Sequence, residues 1–489
     1  MPQIPILNRS LISEKKYPTK IIQFGDGNFL RAFLDLMVHE MNQKIQFNAG
    51  IVAVKSRPGT GLIPIWKEQQ GLFTVLLNGI KDNAVVSSKH LVDCVNDVLN
   101  PYDDFESYMN QVNNPDLRFV FSNTTESGIV YDETDSLSDK PQKSFPGKLT
   151  ALLYKRFQVF GGASDKGLIV IPCELIKDNG KQLKYIVLKH AKAWGLEKDF
   201  IAWIEEDTVF CNTLVDRIVP GFPKIDEQDL ANSLGYVDKL AVEAELFHLL
   251  VIEAPVSVRD EFPANKANLN VVFANNLTPF RTQKVRILNG AHTCMVPVGY
   301  LYGLEMVRES VEDLVVGQYL KELIFEEICP TLESSETNIE EFAKDVLDRF
   351  RNPHIANALL SISLNSVSKF KTRVLPSLLD YVNVKHELPK RIVFAFAALI
   401  CFYSGKRDEE EIVLNDDAQV LDFFKKEWKK FSNSRNDLRE LISIVLSKID
   451  FWDKDLSKIE GLLDLLVAYA HNIKKNGVRQ ACCDFRELD

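Results

Sequence analysis

Three polar side chains that could act in one reaction lie in the apolar stretch "RTQKVRILNGAHTCMVPVGY", residues 281–300. A lysine such as Lys284 can donate or accept a proton during catalysis. The amide of Asn289 can donate a hydrogen bond to an oxygen on which negative charge develops. The imidazole of His292 can hold a hydroxyl group or orient the lysine. The stretch is therefore a candidate for acid–base chemistry at an oxygen atom.

A single helix is predicted to position these side chains. Thr278-Pro279 combines a good N-cap residue with a proline suited to the first helical position, so a helix should begin there. At about 100° per residue, Lys284, His292 and Asn289 fall at roughly 0°, 80° and 140° and share one face. The alternative is the ordinary polar side of an amphipathic helix, which has the same pattern.

A second motif, "KIIQFGDGNFLRAF" (residues 20–33), predicts a phosphate-binding turn. Gly25-Asp26-Gly27 directly follows an apolar strand and precedes a helical pattern. Glycines allow close approach of the backbone to a pyrophosphate, and the helix N-terminus favours the anion. Leu30 replaces the third glycine of the usual dinucleotide pattern, so an ordinary strand-to-helix turn is the alternative.

Two further strand-like runs end in residues that could contact a dinucleotide. The run "IVAVKSRPG" ends in Lys55, Ser56 and Arg57, which suit the 2′-phosphate of NADP, whereas an acid there is usual for NAD. The run ending in "FSNTTESG" places Thr124 and Glu126 where the nicotinamide half would lie in a doubly wound sheet. A polar loop that satisfies its own backbone is the alternative for this second run.

The chain changes character near residue 278. Before it, short apolar runs alternate with helical patterns, which is typical of a mostly parallel sheet covered by helices. These strand-like runs are "TKIIQF", "GIVAVKS", "LRFVFSN", "GLIVIP", "VFCNTLV", "FHLLVIE" and "LNVVFAN". After it, long 3.6-residue patterns dominate. We therefore predict an α/β, Rossmann-like dinucleotide-binding domain at residues 1–277 and a mostly α-helical substrate-binding domain at residues 278–489.

Composition narrows the class of protein. The 489 residues carry a formal net charge of −10, which disfavours nucleic acid or an anionic membrane as partner. The eight cysteines include no CxxC pair, and no cysteine–histidine cluster has the spacing of metal ligands. No signal peptide or apolar span of about 18 residues is found. These features predict a cytoplasmic protein with reduced thiols, a small-molecule substrate and no metal.

Four landmarks together resemble one family. They are K-x4-N-x2-H at Lys284 to His292, "GDGNFLRAF" at 25–33, "LVDRIVP" at 214–220 and "RFRNPHI" at 349–355. In this combination and order they are similar to the polyol-specific long-chain dehydrogenases, the mannitol dehydrogenase family. The matches run from residue 25 to about 376 and cover most of the chain.

The resemblance implies hydride transfer between a nicotinamide cofactor, NAD rather than NADP, and a secondary alcohol carbon. Lys284 would be the general acid or base, Asn289 would stabilise the alkoxide, and His292 would bind a hydroxyl or fix the lysine. Asp216 would accept hydrogen bonds from sugar hydroxyls, although an ion pair with Arg217 or another base is the alternative. The implied cofactor contacts are Gly25, Gly27, Asn28, Phe29, Arg31, Thr124 and Glu126.

Within the family, "PCELIKDNG" (172–180) and "SLNSVSKFKTRVLPSLLDY" (363–381) resemble the branch that interconverts tagaturonate and altronate. The polyol branch has Asp-Asn where this chain has Glu174-Leu175, which argues against mannitol as substrate. Glu174 is nevertheless kept as a candidate substrate contact. The alternatives are the fructuronate–mannonate and mannitol–fructose reactions, and a dinucleotide sensor that catalyses nothing.

A sugar acid brings a carboxylate, which needs a cation where it binds. The resemblance implies that Lys369 touches the substrate. Arg373 lies four residues on, on the same predicted helical face, and is the candidate for the carboxylate. Arg217 and Arg286 are the next candidates. A solvated charged face is the alternative for Lys369, Lys371 and Arg373.

Overall fold

The computed structural model describes residues 4–12, 16–82, 84–332, 337–407, 409–432 and 434–487. These residues form two compact units. Unit 1 falls within Met1–Gly79 and Val85–Leu277, and unit 2 falls within Ile80–Ala84 and Thr278–Asp489. The first contains the larger β-sheet and the second is built from helices.

The larger sheet of unit 1 has six strands in the order β5-β2-β1-β6-β7-β8. They are β1 (Thr19–Phe24), β2 (Gly50–Val54), β5 (Val95–Leu99), β6 (Phe119–Ser122), β7 (Ile169–Pro172) and β8 (Val209–Phe210). All five pairings are parallel. The chain winds outward in both directions from the β1–β6 pair, so the crevice at the carboxyl ends of these two strands is the expected ligand site of such a sheet.

Both faces of this sheet are buried. Alternate residues of β1 enter different hydrophobic clusters, because successive side chains of a strand point to opposite faces. Ile21 packs in one cluster, and Ile22 and Phe24 pack in the other. The strands therefore consist of nearly continuous apolar runs, and the predicted α/β class with a parallel sheet is confirmed.

Two three-stranded sheets complete unit 1. One has the order β10-β3-β4, with β3 (Phe73–Lys81), β4 (Ala84–Val92) and β10 (Val242–Glu245). The other has the order β12-β11-β9, with β9 (Asn212–Asp216), β11 (Leu249–Glu253) and β12 (Val271–Ala274). The expectation that these last runs continue the parallel sheet is not met, because β9 pairs antiparallel with β11. A single residue separates β8 from β9, too few for a parallel crossover.

The helices of unit 1 connect the strands. They are α1 (Asn28–Leu30), α2 (Leu36–Ile45), α3 (Ile63–Glu68), α4 (Phe105–Asn110), α5 (Phe145–Phe160), α6 (Asn179–Ala193), α7 (Lys198–Glu206), α8 (Glu227–Leu234) and α9 (Val256–Glu261). A π-helical turn, Arg31–Asp35, joins α1 to α2, so residues 28–45 form one continuous helical segment. This segment begins directly after the glycine turn that follows β1.

As far as its described residues go, unit 2 is helical apart from the ends of β3 and β4 within 80–84 and the two-residue strands β13 (Lys406–Arg407) and β14 (Glu410–Glu411). Its helices are α10 (Thr278–Gln283), α11 (Gly290–Tyr302), α12 (Val307–Glu312), α13 (Val316–Glu322), α14 (Ile339–Phe350), α15 (Leu359–Ile362), α16 (Ser366–Arg373), α17 (Leu375–Lys385), α18 (Lys390–Phe402), α19 (Ala418–Trp428), α20 (Arg435–Ser447), α21 (Ile449–Trp452) and α22 (Leu462–Glu487). The predicted mostly α-helical second part is confirmed. Residues 392–402 of α18 are all buried, which makes this helix the centre of the unit.

Candidate active site

The turn after β1 has the shape of a phosphate cradle. Gly25 has φ +124°, and a Cβ there would lie 3.1 Å from the carbonyl oxygen of Asn123 and 3.2 Å from a methyl group of Leu30. A side chain would therefore be strained and crowded at this position. Gly27 is the N-cap of the following helix, and a Cβ there would meet nothing within 4 Å. Open space in front of a helix N-terminus fits a pyrophosphate.

Arg31, a predicted cofactor contact, is buried next to this turn. The guanidinium is buried, donates to the carbonyl oxygen of Leu240 at 2.6 Å, and also donates to the side-chain oxygen of Asn28. The second bond fixes the amide of Asn28, which is exposed at the start of the helix, so that its NH₂ group points away from Arg31. Phe29 is half-buried and stacks on Phe33 with ring centroids 4.8 Å apart. The NH₂ nitrogen of Asn28 lies 2.8 Å from where a Cβ of Gly221 would be, at the exposed start of the helix.

The turn after β6 is held by Glu174, which follows β7. Its Oε1 accepts hydrogen bonds from the backbone N–H and the hydroxyl of Thr124, both at 2.9 Å. Its Oε2 accepts from the hydroxyl of Ser122 at 2.9 Å. Only 2% of Glu174 is exposed, and this burial raises the pKa of the carboxyl. The structure thus places Glu174 and Thr124 together, while Glu126 is exposed on the same turn.

The two cations after β2 point in different directions. The guanidinium of Arg57 donates to the hydroxyl of Thr125 at 3.2 Å, so it reaches the turn after β6. The ammonium of Lys55 lies close to Gly61 within its own loop, where an added Cβ would be 2.8 Å away. Because β1 lies between β2 and β6, the Arg57 side chain passes over the end of β1.

Asp216 ends β9 and is buried, with 6% of its surface exposed. Its neighbour Arg217 donates to the carbonyl oxygens of Glu245, at 2.8 and 3.0 Å, and of Ala32, at 2.8 Å. Burial lowers the pKa of Arg217 to about 10. The guanidinium of Arg217 is thus committed to backbone oxygens of unit 1.

In unit 2, the predicted helix does begin at Thr278, but it contains a wide turn. Residues Lys284–Asn289 form a π-helical turn between α10 and α11. Five residues in an α-helix would separate Lys284 from Asn289 by about 140°. A π-turn closes an i→i+5 bond, so these two residues lie roughly above one another along the helix. The angle between the side chains of Lys284 and Asn289 around the helix axis is therefore smaller than the 140° that regular α-helical spacing predicts.

The three predicted catalytic side chains are half-buried on this segment. The carboxamide of Asn289 makes no hydrogen bond to any described residue, so its donors remain available. The ring of His292 stacks on Phe350 with centroids 4.2 Å apart. Its Nε2 is shielded from solvent and has no hydrogen-bond partner among the described residues. An unpartnered nitrogen of this kind suits a ligand hydroxyl.

His292 lies in a region of positive charge. Burial, together with the positive charges of Arg349, Arg373 and Lys369, lowers its pKa to about 3. The imidazole is therefore neutral at neutral pH. Arg349 and Phe350 belong to the "RFRNP" landmark, so the landmark could have suggested their proximity to the helix, although sequence spacing assigned them no role.

The three cations of α16 have different environments. Lys371 pairs with the exposed Asp453 at 2.7 Å. The ammonium of Lys369 donates to the carbonyl oxygen of Ile362 at 2.8 Å, and its pKa is lowered by burial and by Arg373. The guanidinium of Arg373 is half-buried and makes no hydrogen bond or ion pair with a described residue. Arg373 is thus the cation of α16 that can take a new anionic partner.

Backbone packing brings α16 to the catalytic segment. A Cβ at Gly290 would lie 3.2 Å from the carbonyl oxygen of Arg373, so a larger residue would push the two helices apart. Arg286, four residues before Gly290, is already bound to other side chains. It donates to Ser377 at 2.5 Å, to Thr331 at 3.0 Å and to Asp380 at 2.9 Å. Through its bonds to Ser377 and Asp380, Arg286 holds α17 against the helix that carries Lys284.

Among the described residues, no helix is both long enough and apolar enough to span a membrane. Within the same ranges, histidine, cysteine, aspartate and glutamate side chains form no group of three or more arranged to hold a metal ion.

Comparison with known proteins identifies both halves of the chain. Residues 19–266 match the model of the mannitol dehydrogenase Rossmann domain, and residues 276–473 match that of the mannitol dehydrogenase C-terminal domain. An altronate oxidoreductase of Bacillus subtilis (strain 168) is 46% identical over 466 residues, 95% of either chain. One from Escherichia coli O6:K15:H31 is 41% identical over 476 residues, 97% of this chain and 98% of its own.

Solved structures share the fold. A D-sorbitol dehydrogenase in substrate-free form has a TM-score of 0.79 at 22% identity and covers 98% of this chain and 100% of its own. The mannitol 2-dehydrogenase of Pseudomonas fluorescens, solved with NAD and D-mannitol, has a TM-score of 0.64 at 19% identity. It covers 99% of this chain and 100% of its own.

Proposed function

This chain belongs to the mannitol dehydrogenase family of oxidoreductases, and we propose that it interconverts D-tagaturonate and D-altronate with NAD. The observation that carries the proposal is Arg373, a half-buried guanidinium without a partner among the described residues, beside the predicted catalytic helix. A sugar acid supplies the carboxylate that such a cation lacks, and a neutral polyol does not. The names of the two altronate oxidoreductases support the same substrate.

The cofactor would bind to unit 1. Gly25, Gly27 and the amide of Asn28 would hold the pyrophosphate, and the turn at Thr124 would receive the nicotinamide half. When bound, NAD supplies a ring that exchanges a hydride with the alcohol carbon. Arg57 supports NAD over NADP, since its guanidinium is directed at Thr125 and away from its own loop. Lys55 is then the remaining cation for a 2′-phosphate.

The acid–base chemistry would be performed by unit 2. Lys284 takes the proton of the substrate hydroxyl when the alcohol is oxidised and returns it to the oxygen when the ketone is reduced. Asn289, whose carboxamide has no other partner among the described residues, donates a hydrogen bond to that oxygen as charge develops. His292 is neutral, so its unpartnered nitrogen can accept a bond from a neighbouring hydroxyl.

The carboxylate of the substrate would bind to Arg373, and Lys369 would contact a hydroxyl or the same carboxylate. A guanidinium can form two parallel hydrogen bonds with a carboxylate, which fixes its orientation as well as its charge. The predicted contacts of Asp216 and Glu174 with substrate hydroxyls remain predictions. On this proposal, residues 1–277 bind the cofactor and residues 278–489 bind the substrate.

A substrate and cofactor panel tests the proposed function. The purified chain is mixed with NADH or NADPH and with tagaturonate, fructuronate or fructose, and loss of the reduced cofactor's absorbance is followed. We expect the largest kcat/KM for tagaturonate with NADH. A larger value for fructuronate or fructose would move the chain to another branch of the family. Binding of NADH without turnover of any keto sugar would favour a sensor.

A further inference from the structure

Glu174 is buried at the carboxyl ends of two strands in a way that leaves little room for a substrate contact. Both oxygens of its carboxylate are occupied, Oε1 by two donors of Thr124 and Oε2 by Ser122, each at 2.9 Å. Only 2% of the residue is exposed. A carboxylate that is already satisfied and shielded from solvent is better suited to holding protein groups than to binding a sugar hydroxyl.

The turn that Glu174 holds is conformationally unusual. Thr125 has φ +82°, in the left-handed region that β-branched residues strongly disfavour. Such a backbone persists only where the surrounding structure restrains it, and strain of this kind concentrates at ligand sites. Glu174 restrains Thr124, the residue before Thr125. The hydroxyl of Thr125 contacts the hydroxyl of Ser127 at 3.1 Å and the guanidinium of Arg57 at 3.2 Å.

The position of this turn in the sheet indicates that it lies at a dinucleotide site. It follows β6, the strand beside β1 at the point where the winding of the sheet reverses, and dinucleotides bind across that point. The neighbouring residue Asn123 is fixed separately, since its amide donates to the carbonyl oxygen of Cys173 at 2.8 Å and its N–H donates to Phe24 at 3.0 Å. Loss of Glu174 would thus release Thr124 and Thr125 while the wall of the glycine turn stays in place.

We propose that Glu174 is a positioning residue that holds the Thr124–Thr125 turn in its left-handed shape to receive the nicotinamide half of the cofactor. The inference rests on the proposed function, because it assumes that a nicotinamide dinucleotide binds to unit 1. In this role, which would replace the predicted substrate contact, Glu174 acts through the backbone of the turn and touches neither cofactor nor substrate. Its replacement therefore changes binding of the nicotinamide half and spares the ADP-ribose half.

Isothermal titration of NADH and of ADP-ribose, which lacks the nicotinamide, separates these halves. Glu174→Met keeps the length of the side chain and removes its acceptors, so NADH should bind roughly tenfold more weakly or worse, the order expected when buried hydrogen bonds to a charged group are lost. ADP-ribose should bind as tightly as it does to the wild-type chain. Glu174→Gln should restore NADH binding, because its oxygen can accept from Thr124 and its NH₂ can donate to the hydroxyl of Ser122.

A second variant tests the role of the strain. Glycine adopts positive φ without cost, so Thr125→Gly should recover part of the NADH affinity in the Glu174→Met chain. Equal weakening of NADH and ADP-ribose, or no change in either, would overturn the proposal. So would an unchanged NADH affinity with a raised KM for tagaturonate in both Glu174 variants, which would make Glu174 a substrate contact. Failure of the proposed function is a separate result, since it appears as wild-type chain that does not reduce tagaturonate.

Discussion

Replacing Arg373 by methionine should reduce activity on a sugar acid far more than on a neutral ketose. Methionine keeps much of the apolar stem of the side chain and removes the guanidinium. Since no described residue is paired with that guanidinium, its loss leaves no described carboxylate without its cation. Arg373 is therefore a cleaner test than Arg286, whose removal would leave Asp380 unpaired.

The magnitude follows from the surroundings of the side chain. Truncating one partner of a buried charge pair costs about 2–5 kcal/mol. Arg373 is half-buried, and Lys369 is near enough for the two cations to affect each other. In the Arg373→Met chain, Lys369 would therefore still attract the substrate carboxylate. We therefore expect the lower part of this range, about 2–3 kcal/mol, or roughly 30- to 150-fold in kcat/KM at about 1.4 kcal/mol per factor of ten.

The assay measures kcat/KM for tagaturonate and for fructose, which lacks the carboxylate, with saturating NADH. Lys371→Met is the matched control, because it removes a cation two residues away that is already paired with Asp453 at the surface. Exposed pairs of that kind contribute about 0–1 kcal/mol, so this control should change neither substrate by more than a few fold. Equal losses on both substrates in Arg373→Met would refute a carboxylate contact at this residue.

Three further outcomes are expected from the catalytic segment. Lys284→Ala should lower kcat by about 10²–10⁴-fold while the affinity for NADH, measured by titration, stays unchanged; a variant that retains most of its kcat would remove Lys284 from the mechanism. Asn289→Ala should lower kcat by about 10²–10³-fold, and a change in KM alone would make Asn289 a binding residue. The pKa of His292 is lowered to about 3 in the folded chain, whereas the unfolded chain protonates it below about 6.5, so stability should fall as the pH drops through that interval. His292→Phe should flatten this part of a plot of Tm against pH, and an unchanged slope would contradict a buried neutral imidazole.

Local signals predicted the start of the helical segment that carries Lys284, Asn289 and His292. The N-cap and proline at Thr278-Pro279 are local features, and α10 begins there. The π-turn at Lys284–Asn289 was not predictable in this way, because a change from i→i+4 to i→i+5 bonding leaves the apolar pattern almost unaltered. The angle of about 140° between Lys284 and Asn289 was wrong for that reason.

The apolar runs predicted which segments are strands but not how every strand pairs. The runs at β1, β2, β6 and β7 form the parallel sheet, as their continuous apolar character indicates. The runs at β9, β11 and β12 have the same character and form a separate sheet with an antiparallel pair. Pairing depends on the length of the connections and on what covers each face, and hydrophobicity along the chain reports neither.

Side-chain partners were the least predictable part of the candidate site. Lys369, Lys371 and Arg373 looked alike as a charge run, and the structure separates them into a backbone-bound, a surface-paired and an unpartnered cation. Likewise, the sequence shows that Glu174 departs from the polyol branch, but its partner Thr124 follows the neighbouring strand and is remote along the chain. Such partners are remote in sequence, so spacing along the chain does not reveal them.

The π-turn at Lys284–Asn289 makes the number of residues in this segment, as distinct from their types, important for the proposed activity. One π-turn is equivalent to a single residue inserted into an α-helix. Deleting one residue within 285–288 would let the segment return to regular spacing, with Lys284 and Asn289 four residues apart and still about 40° from one another. Inserting one residue would instead rotate Lys284 by about 100° relative to Asn289 and His292. Because α11 could keep its packing, the lengthened chain would fold and yet lose the alignment of these side chains. This span should therefore accept many substitutions and a single deletion, but no insertion without loss of catalysis.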